Sequence, residues 1–148
     1  MTARILVVDD EPDLETLIQQ KFRHQIRDGT VRFLFARDGV EALTMLEANQ
    51  DVDLVVTDIN MPRMDGLSLL QKLQESKEKL STIIVSAYGD IANIRTAMNR
   101  GAFDFLTKPI DFLDLETTIA KTIRHVEVLR EARRRQAEAE RAHASLSR

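Results

Sequence analysis

Five short apolar runs, each followed by a one-sided helical segment, constrain the fold of this chain more than any other feature. The runs are residues 5–8, 31–36, 54–57, 82–85 and 103–107. Between them, apolar residues recur at helical spacing: Leu14, Leu17, Ile18 and Phe22, then Val40, Leu43 and Leu46, then Leu67, Leu70 and Leu73, then Ile91, Ile94 and Met98. Near-continuous apolar strands are buried on both faces, so the pattern predicts a parallel sheet covered by helices on either side. Each crossover is expected to be right-handed. The punctuation agrees. Pro12 stands where a first helical turn tolerates it, and that helix is expected to reach about Ile26. Asp28-Gly29 is a turn, Asp38-Gly39 opens the second helix, and the polar stretch from Gln74 to Lys79 ends the third. Gly101 closes the fourth as a C-cap, and the last helix begins near Asp111 or Asp114.

A chain of 148 residues holds one such domain. Apolar residues make up 43% and charged ones 30%, in the range of soluble globular proteins. No apolar run approaches the roughly 18 residues that span a bilayer, and the run after Arg4 is too short for a signal-peptide core. There is no cysteine, hence no disulfide framework and no thiolate metal site. A cytoplasmic protein without membrane contact is expected. From Arg130 onward six Arg stand against three Glu, a net of +3, which leaves −6 for residues 1–129 of the total of −3. An acidic body argues against direct nucleic-acid binding and for one that gathers cations.

In a doubly wound sheet the C-terminal ends of the strands share one edge, where ligands bind. Those ends carry Asp9-Asp10-Glu11, then Asp58, then Ser86-Ala87, then Lys108. Taken singly, each has a common structural role: acids at a helix start, an aspartate or serine cap, a surface lysine. Together they are a constellation. Clustered carboxylates repel one another unless a cation sits among them, and hard oxygen donors without Cys or nearby His select Mg²⁺, with Mn²⁺ as the second choice. Lys108 supplies a point charge for a further anionic oxygen.

With these residues in place, the span from Arg4 to about Leu129 resembles the response-regulator receiver domain of two-component signalling. The resemblance rests on Asp9-Asp10 after the first strand, Asp58 within Asp-Ile-Asn-Met-Pro-Arg-Met-Asp-Gly, Ser86-Ala87, and Lys108-Pro109. It implies a flavodoxin-like sheet of order 2-1-3-4-5 and a cis Lys108-Pro109 bond. It also implies that Asp58 is phosphorylated by a histidine kinase or phosphotransfer protein. Asp10 would ligate Mg²⁺ directly, Asp9 through water, Asp58 from its carboxylate and Asn60 through its backbone carbonyl. Ser86, the Ala87 amide and Lys108 would hold the phosphoryl oxygens, and Ser86 with Phe105 would form the switch. Serine stands at 86 where the family commonly has threonine, and phenylalanine at 105 where tyrosine is frequent. Asn60 and Tyr88 occupy positions that tune the phosphoryl lifetime. Such a domain is a signalling acceptor rather than an enzyme, catalysing only its own phosphoryl transfer and dephosphorylation.

Four other classes fit less well. An aspartyl-phosphate hydrolase wants a second acid two residues after the first, where this chain has Asn60. A flavin mononucleotide binder needs a hydroxyl-rich or glycine-rich loop where Asp9-Asp10-Glu11 stand, and the phosphate-loop motif of nucleotide hydrolases is absent. A scaffold with a dead site would lack Asp10, Asp58 or Lys108, all of which are present.

Residues 1–129 are therefore expected to form the receiver domain and 130–148 a projecting helical extension. In the last helix, Leu115, Ile119, Thr122, Val126 and Leu129 alternate 4-3-4-3, the spacing of a coiled-coil seam. The same register then meets Arg133, Gln136, Glu140 and His143, and weakens; His143 reads as a solvated residue. A homodimer through this helix, and an output domain beyond Arg148, are expected.

Overall fold

The structure, a computed structural model, describes residues 2–76 and 80–146. Five strands form one parallel sheet in the order β2-β1-β3-β4-β5: β1 Ala3–Val8, β2 Val31–Ala36, β3 Leu54–Asp58, β4 Ser81–Ala87 and β5 Asp104–Lys108. The helices are α1 Pro12–Lys21, α2 Arg23–Arg27, α3 Gly39–Ala48, α4 Gly66–Glu75, α5 Ile91–Asn99 and α6 Phe112–Leu146. The expected flavodoxin-like α/β architecture is what the chain adopts. Residues 77–79, expected to end the α4 segment, lie outside the described residues.

The sheet separates two layers of core. On one face Ile5, Val7, Leu54, Val56, Ile83 and Val85 pack with Ile18, Leu115 and Ile119 of the helices and with Phe22 between α1 and α2. On the other, Leu6, Val8 and Val55 pack with Ala42, Leu69 and Leu73, and Ile84 packs with Leu70 and Ala97. Residues of one strand thus alternate between two buried faces, which is why the strands read as unbroken apolar runs. Each large side chain fully buried here contributes about 1.5–3 kcal/mol of transfer free energy. Among the described residues no buried side-chain polar atom lacks a hydrogen-bond partner.

Two expectations are corrected. The first helix does not run unbroken to Ile26: the backbone leaves helical geometry at Phe22 (φ −99°, ψ 15°) and restarts as α2. Phe22 is buried, with its ring 5.1 Å from both Phe33 and Phe112. The break falls where the Phe22 ring packs against those two rings, while the Phe22 N–H still donates to the Ile18 carbonyl and the Ile26 N–H to the Phe22 carbonyl, each at 2.9 Å. The second correction concerns α6. Leu115, Ile119, Thr122 and Val126 are buried, and Leu115 and Ile119 belong to the core beneath the sheet. The 4-3-4-3 row up to Val126 is the helix's inner face, taken up within one chain, and not a seam between two helices. Only Leu129, 36% exposed, stands outside that burial.

α6 is 35 residues long, about 52 Å at 1.5 Å per residue. Asp111 caps it by accepting from the Asp114 N–H at 3.1 Å. Arg130 ties it to the body, its guanidinium donating to Asp53. Asp53 is buried, and its other oxygen accepts from the Arg4 N–H at 2.8 Å. Arg100 is the C-cap residue of α5, and Gly101, expected as the cap, follows one residue later with φ 103°, the left-handed position where glycine closes a helix.

Candidate functional site

Strand register assembles the site. Val8 pairs with Ala36 on one side and Thr57 on the other, so Asp9 and Asp58 lie one residue further along adjacent strands. Asp58 pairs with Val85, which puts Ser86 one residue beyond it, and Ala87 pairs with Lys108. All four chemical positions therefore come to the C-terminal edge. Carboxylate oxygens of Asp9, Asp10 and Asp58 lie within 4.8 Å of one another. Asp58 is 4% exposed, and its Oδ2 accepts from Lys108 Nζ at 2.6 Å. Glu11 adds a fourth acid 3.8 Å from the same ammonium. A cavity of about 110 Å³, lined by Asp9, Asp10, Glu11 and Glu41 among others, opens beside the cluster.

The electrostatics are those of an anionic pocket. Burial, with the charges of Asp58 and Glu11, raises Asp9 from 3.8 to about 6, against the Glu11 N–H and the Lys108 charge, which lower it. Burial pulls Lys108 down, but its hydrogen bond to Asp58 and the charges of Asp58, Asp9 and Glu11 outweigh this and raise it above 10.5. The lysine stays an ammonium. One ammonium among four acids leaves a net negative site, so the donor set fits a hard divalent cation that keeps some of its waters.

The remaining expected residues stand at the same edge with different partners. The buried Ser86 hydroxyl donates to Asp90 Oδ2 at 3.2 Å, where Asn93 also donates at 2.7 Å. Phe105, beside Ile84 in the sheet, is 41% exposed, and Tyr88 is 86% exposed. The Asn60 N–H donates to Asp58 Oδ1 at 3.3 Å. The Lys108-Pro109 bond is cis, as the resemblance implied. Gly66 N–H closes the turn onto the Ile59 carbonyl at 2.8 Å, and a Cβ on Gly66 would lie 2.2 Å from the Asp58 carbonyl oxygen. That contact dictates glycine at 66.

Sequence reasoning did not anticipate the ion pair of Asp38 with Arg63, at 2.7 Å. Asp38 was legible only as the residue that opens a helix, which it does by accepting from the Glu41 N–H at 2.9 Å. These interactions, the Glu41 N–H first, hold its carboxyl below the usual carboxylate value. The role of Asp90 as the resting partner of Ser86 was also missed; nothing in its position after Gly89 announced it.

A parallel 2-1-3-4-5 sheet with acids and a lysine gathered at its carboxyl edge defines a doubly wound α/β domain with its site where such folds bind ligands. Residues 5–120 match the response regulator receiver domain family, and the chain belongs to that family. It is 35% identical over 121 residues to the response regulator protein PilR of Pseudomonas aeruginosa, covering 82% of this chain and 26% of that protein. It is 34% identical over 108 residues to a chemotaxis protein CheY homolog of Campylobacter jejuni, covering 72% of this chain and 81% of the relative. Among solved structures, a response regulator receiver domain protein of Clostridium thermocellum superposes with a TM-score of 0.73 at 33% identity, covering 86% of this chain and 98% of that one. NtrX of Brucella abortus does so with a TM-score of 0.78 at 30% identity, covering 89% of this chain and 29% of that one. The chain thus spans about a quarter of PilR and most of the CheY homolog.

Proposed function

We propose that Asp58 is the phospho-acceptor of a two-component relay, taking its phosphoryl group from a histidine kinase or phosphotransfer protein. The observation that carries this reading is the pairing of a buried Asp58 with Lys108 at 2.6 Å, beside the carboxylates of Asp9 and Asp10. An Asp58 oxygen attacks phosphorus, the donor's phosphorus–nitrogen bond breaks, and the imidazole leaves with the electron pair. An acyl phosphate results. A carboxylate is a weak nucleophile, so the chain's own residues must orient it: Lys108 holds Oδ2, and the Asn60 N–H holds Oδ1. Asp9, Asp10, Asp58 and the Asn60 carbonyl would hold Mg²⁺, which would supply neutralisation of phosphoryl charge. Lys108 does the same for an oxygen on the other side, and the Ala87 amide donates to another.

The phosphoryl group brings roughly −1.5 to −2 charges to the edge. Its oxygens draw the Ser86 hydroxyl from Asp90, and Phe105 turns from its exposed position into the space released. The signal passes to homodimerisation through the outward side of α6 and to an output domain following the helix. Long regulators such as PilR and NtrX support an output domain; α6 with its inner row already buried restricts a dimer to the exposed side and the arm beyond Arg130. The chain acts as a cytoplasmic signalling acceptor and not as an enzyme on a separate substrate. The test is incorporation from acetyl phosphate with Mg²⁺, read by intact mass, for the wild type and Asp58→Asn. Gain of one phosphoryl group by the wild type alone is expected; equal labelling of Asp58→Asn would overturn the reading.

A further inference from the structure

The loop that carries Asn60 is held from outside the site. Arg63 lies in the left-handed region with φ 64°, where a residue other than glycine persists only if its surroundings hold it. Asp38 holds its side chain: Nε and a terminal nitrogen of Arg63 both donate to Asp38 Oδ2, at 2.8 and 2.7 Å. The Asp38 side chain is only 7% exposed, and its other oxygen caps α3 through the Glu41 N–H. The carboxylate therefore cannot swing off Arg63 without uncapping the helix. A second tie runs alongside, the Gly39 N–H donating to the Met64 carbonyl at 3.2 Å. At its other end the loop touches the acceptor itself, through the Asn60 N–H on Asp58 Oδ1. The path from α3 to Asp58 is continuous: Asp38, Arg63, the loop backbone, Asn60.

We propose that Asp38 and Arg63 are positioning residues for phosphoryl transfer: their ion pair sets the loop so that Asn60 presents its N–H to Asp58 and its carbonyl to Mg²⁺. Neither touches a reacting atom. The inference rests on the acceptor reading above. The Arg63 side chain is 60% exposed, and a pair with one such partner adds little to global stability. Its effect therefore falls on the geometry of the site.

The experiment uses the full chain with Asp38→Asn, which retains a capping side chain, Arg63→Ala, the double variant, and Arg63→Gly. Titrating Mg²⁺ by calorimetry gives the binding midpoint, and melting without metal gives stability. Expected is a midpoint raised about tenfold in each single variant, the low end for residues that hold a metal ligand in place. The double variant should be no weaker than either single one, and Arg63→Gly should recover the midpoint only in part. Wild-type midpoints in both single variants, additive losses in the double, or full recovery by Arg63→Gly would each overturn the proposal. The last outcome would make backbone conformation, and not the ion pair, the determinant. If the wild type itself shows no Mg²⁺ response, the acceptor reading fails; if it responds and the variants match it, only the role of the ion pair fails.

Discussion

Replacing Gly66 by alanine tests the site at its tightest point. Gly66 has an ordinary backbone conformation, since the positive-φ glycines are 29, 89 and 101. Without a steric conflict, alanine there would stabilise by about 0.4–1 kcal/mol through the unfolded chain. The conflict decides the sign. The new Cβ would stand 2.2 Å from the Asp58 carbonyl oxygen and 2.9 Å from the Ile59 Cα, below the 3.0 Å that real Cβ atoms respect. Both neighbours are backbone, so β3 and α4 must separate by at least 0.8 Å to reach that limit. Overpacking of this kind costs about 1–3 kcal/mol, and loss of the Gly66 N–H bond to Ile59 adds about 1 kcal/mol. After the entropic offset the net is about 2 kcal/mol, a fall in Tm of roughly 5–10 °C for a domain of this size. The same shift moves the Asp58 backbone, and a displacement on the order of 1 Å at a reacting group lowers rate about a hundredfold. Thermal unfolding and acetyl phosphate labelling are the assays. Gly29→Ala is the control: it is strained by φ 76° but meets nothing within 4 Å, so it should lower Tm while leaving labelling intact. A Gly66→Ala protein as stable as the wild type, or one labelled at the wild-type rate, would refute the reasoning.

Two further outcomes follow from the electrostatics. Asp9 is raised to about 6 in the folded chain against 3.8 unfolded, so the folded state binds more protons between those values. This group therefore costs the metal-free protein stability as pH rises from about 4 to 6, and a proton competes with Mg²⁺ below about pH 6. The Mg²⁺-dependent rise in Tm should shrink as pH falls through that window; a constant rise would contradict it. Arg130→Ala removes the guanidinium from the buried Asp53, which still accepts from the Arg4 N–H. Breaking a buried pair costs about 3–5 kcal/mol, but the Arg130 side chain is 47% exposed, so about 1–2 kcal/mol is expected after screening. Amide exchange of α6 from residue 127 onward should accelerate, and unchanged exchange would count against Asp53 as the anchor.

The fold was legible because its signals are local or periodic. Apolar runs such as 54–57 name buried strands, and Gly101 and Asp38 name helix boundaries by their own chemistry. Strand order was not among these signals, and it entered through the family resemblance. The break at Phe22 escaped because Leu14, Ile18 and Phe22 keep perfect helical spacing; it falls where the rings of Phe33 and Phe112, from other parts of the chain, meet Phe22. The α6 row escaped for a related reason. A 4-3 alternation reports that a helix buries one face, and is silent on whether the cover is a second helix or the chain's own sheet.

The site divides along the same line. Asp9, Asp10, Asp58, Ser86 and Lys108 could be gathered because a parallel sheet brings every strand end to one edge, so topology converts sequence position into proximity. Asp38 and Arg63 are 25 residues apart, and neither ends a strand. Their pairing depends on how far a loop bulges toward a helix, a distance that no periodicity encodes. Two kinds of residue thus meet at Asp58: those at strand ends, which the sheet brings to one edge, and those that bear on that edge through loop geometry. The first kind fixes what chemistry is available; on the proposal above the second sets how well Asp58 is aimed, so a change at Asp38 or Arg63 would alter metal affinity without touching an edge residue.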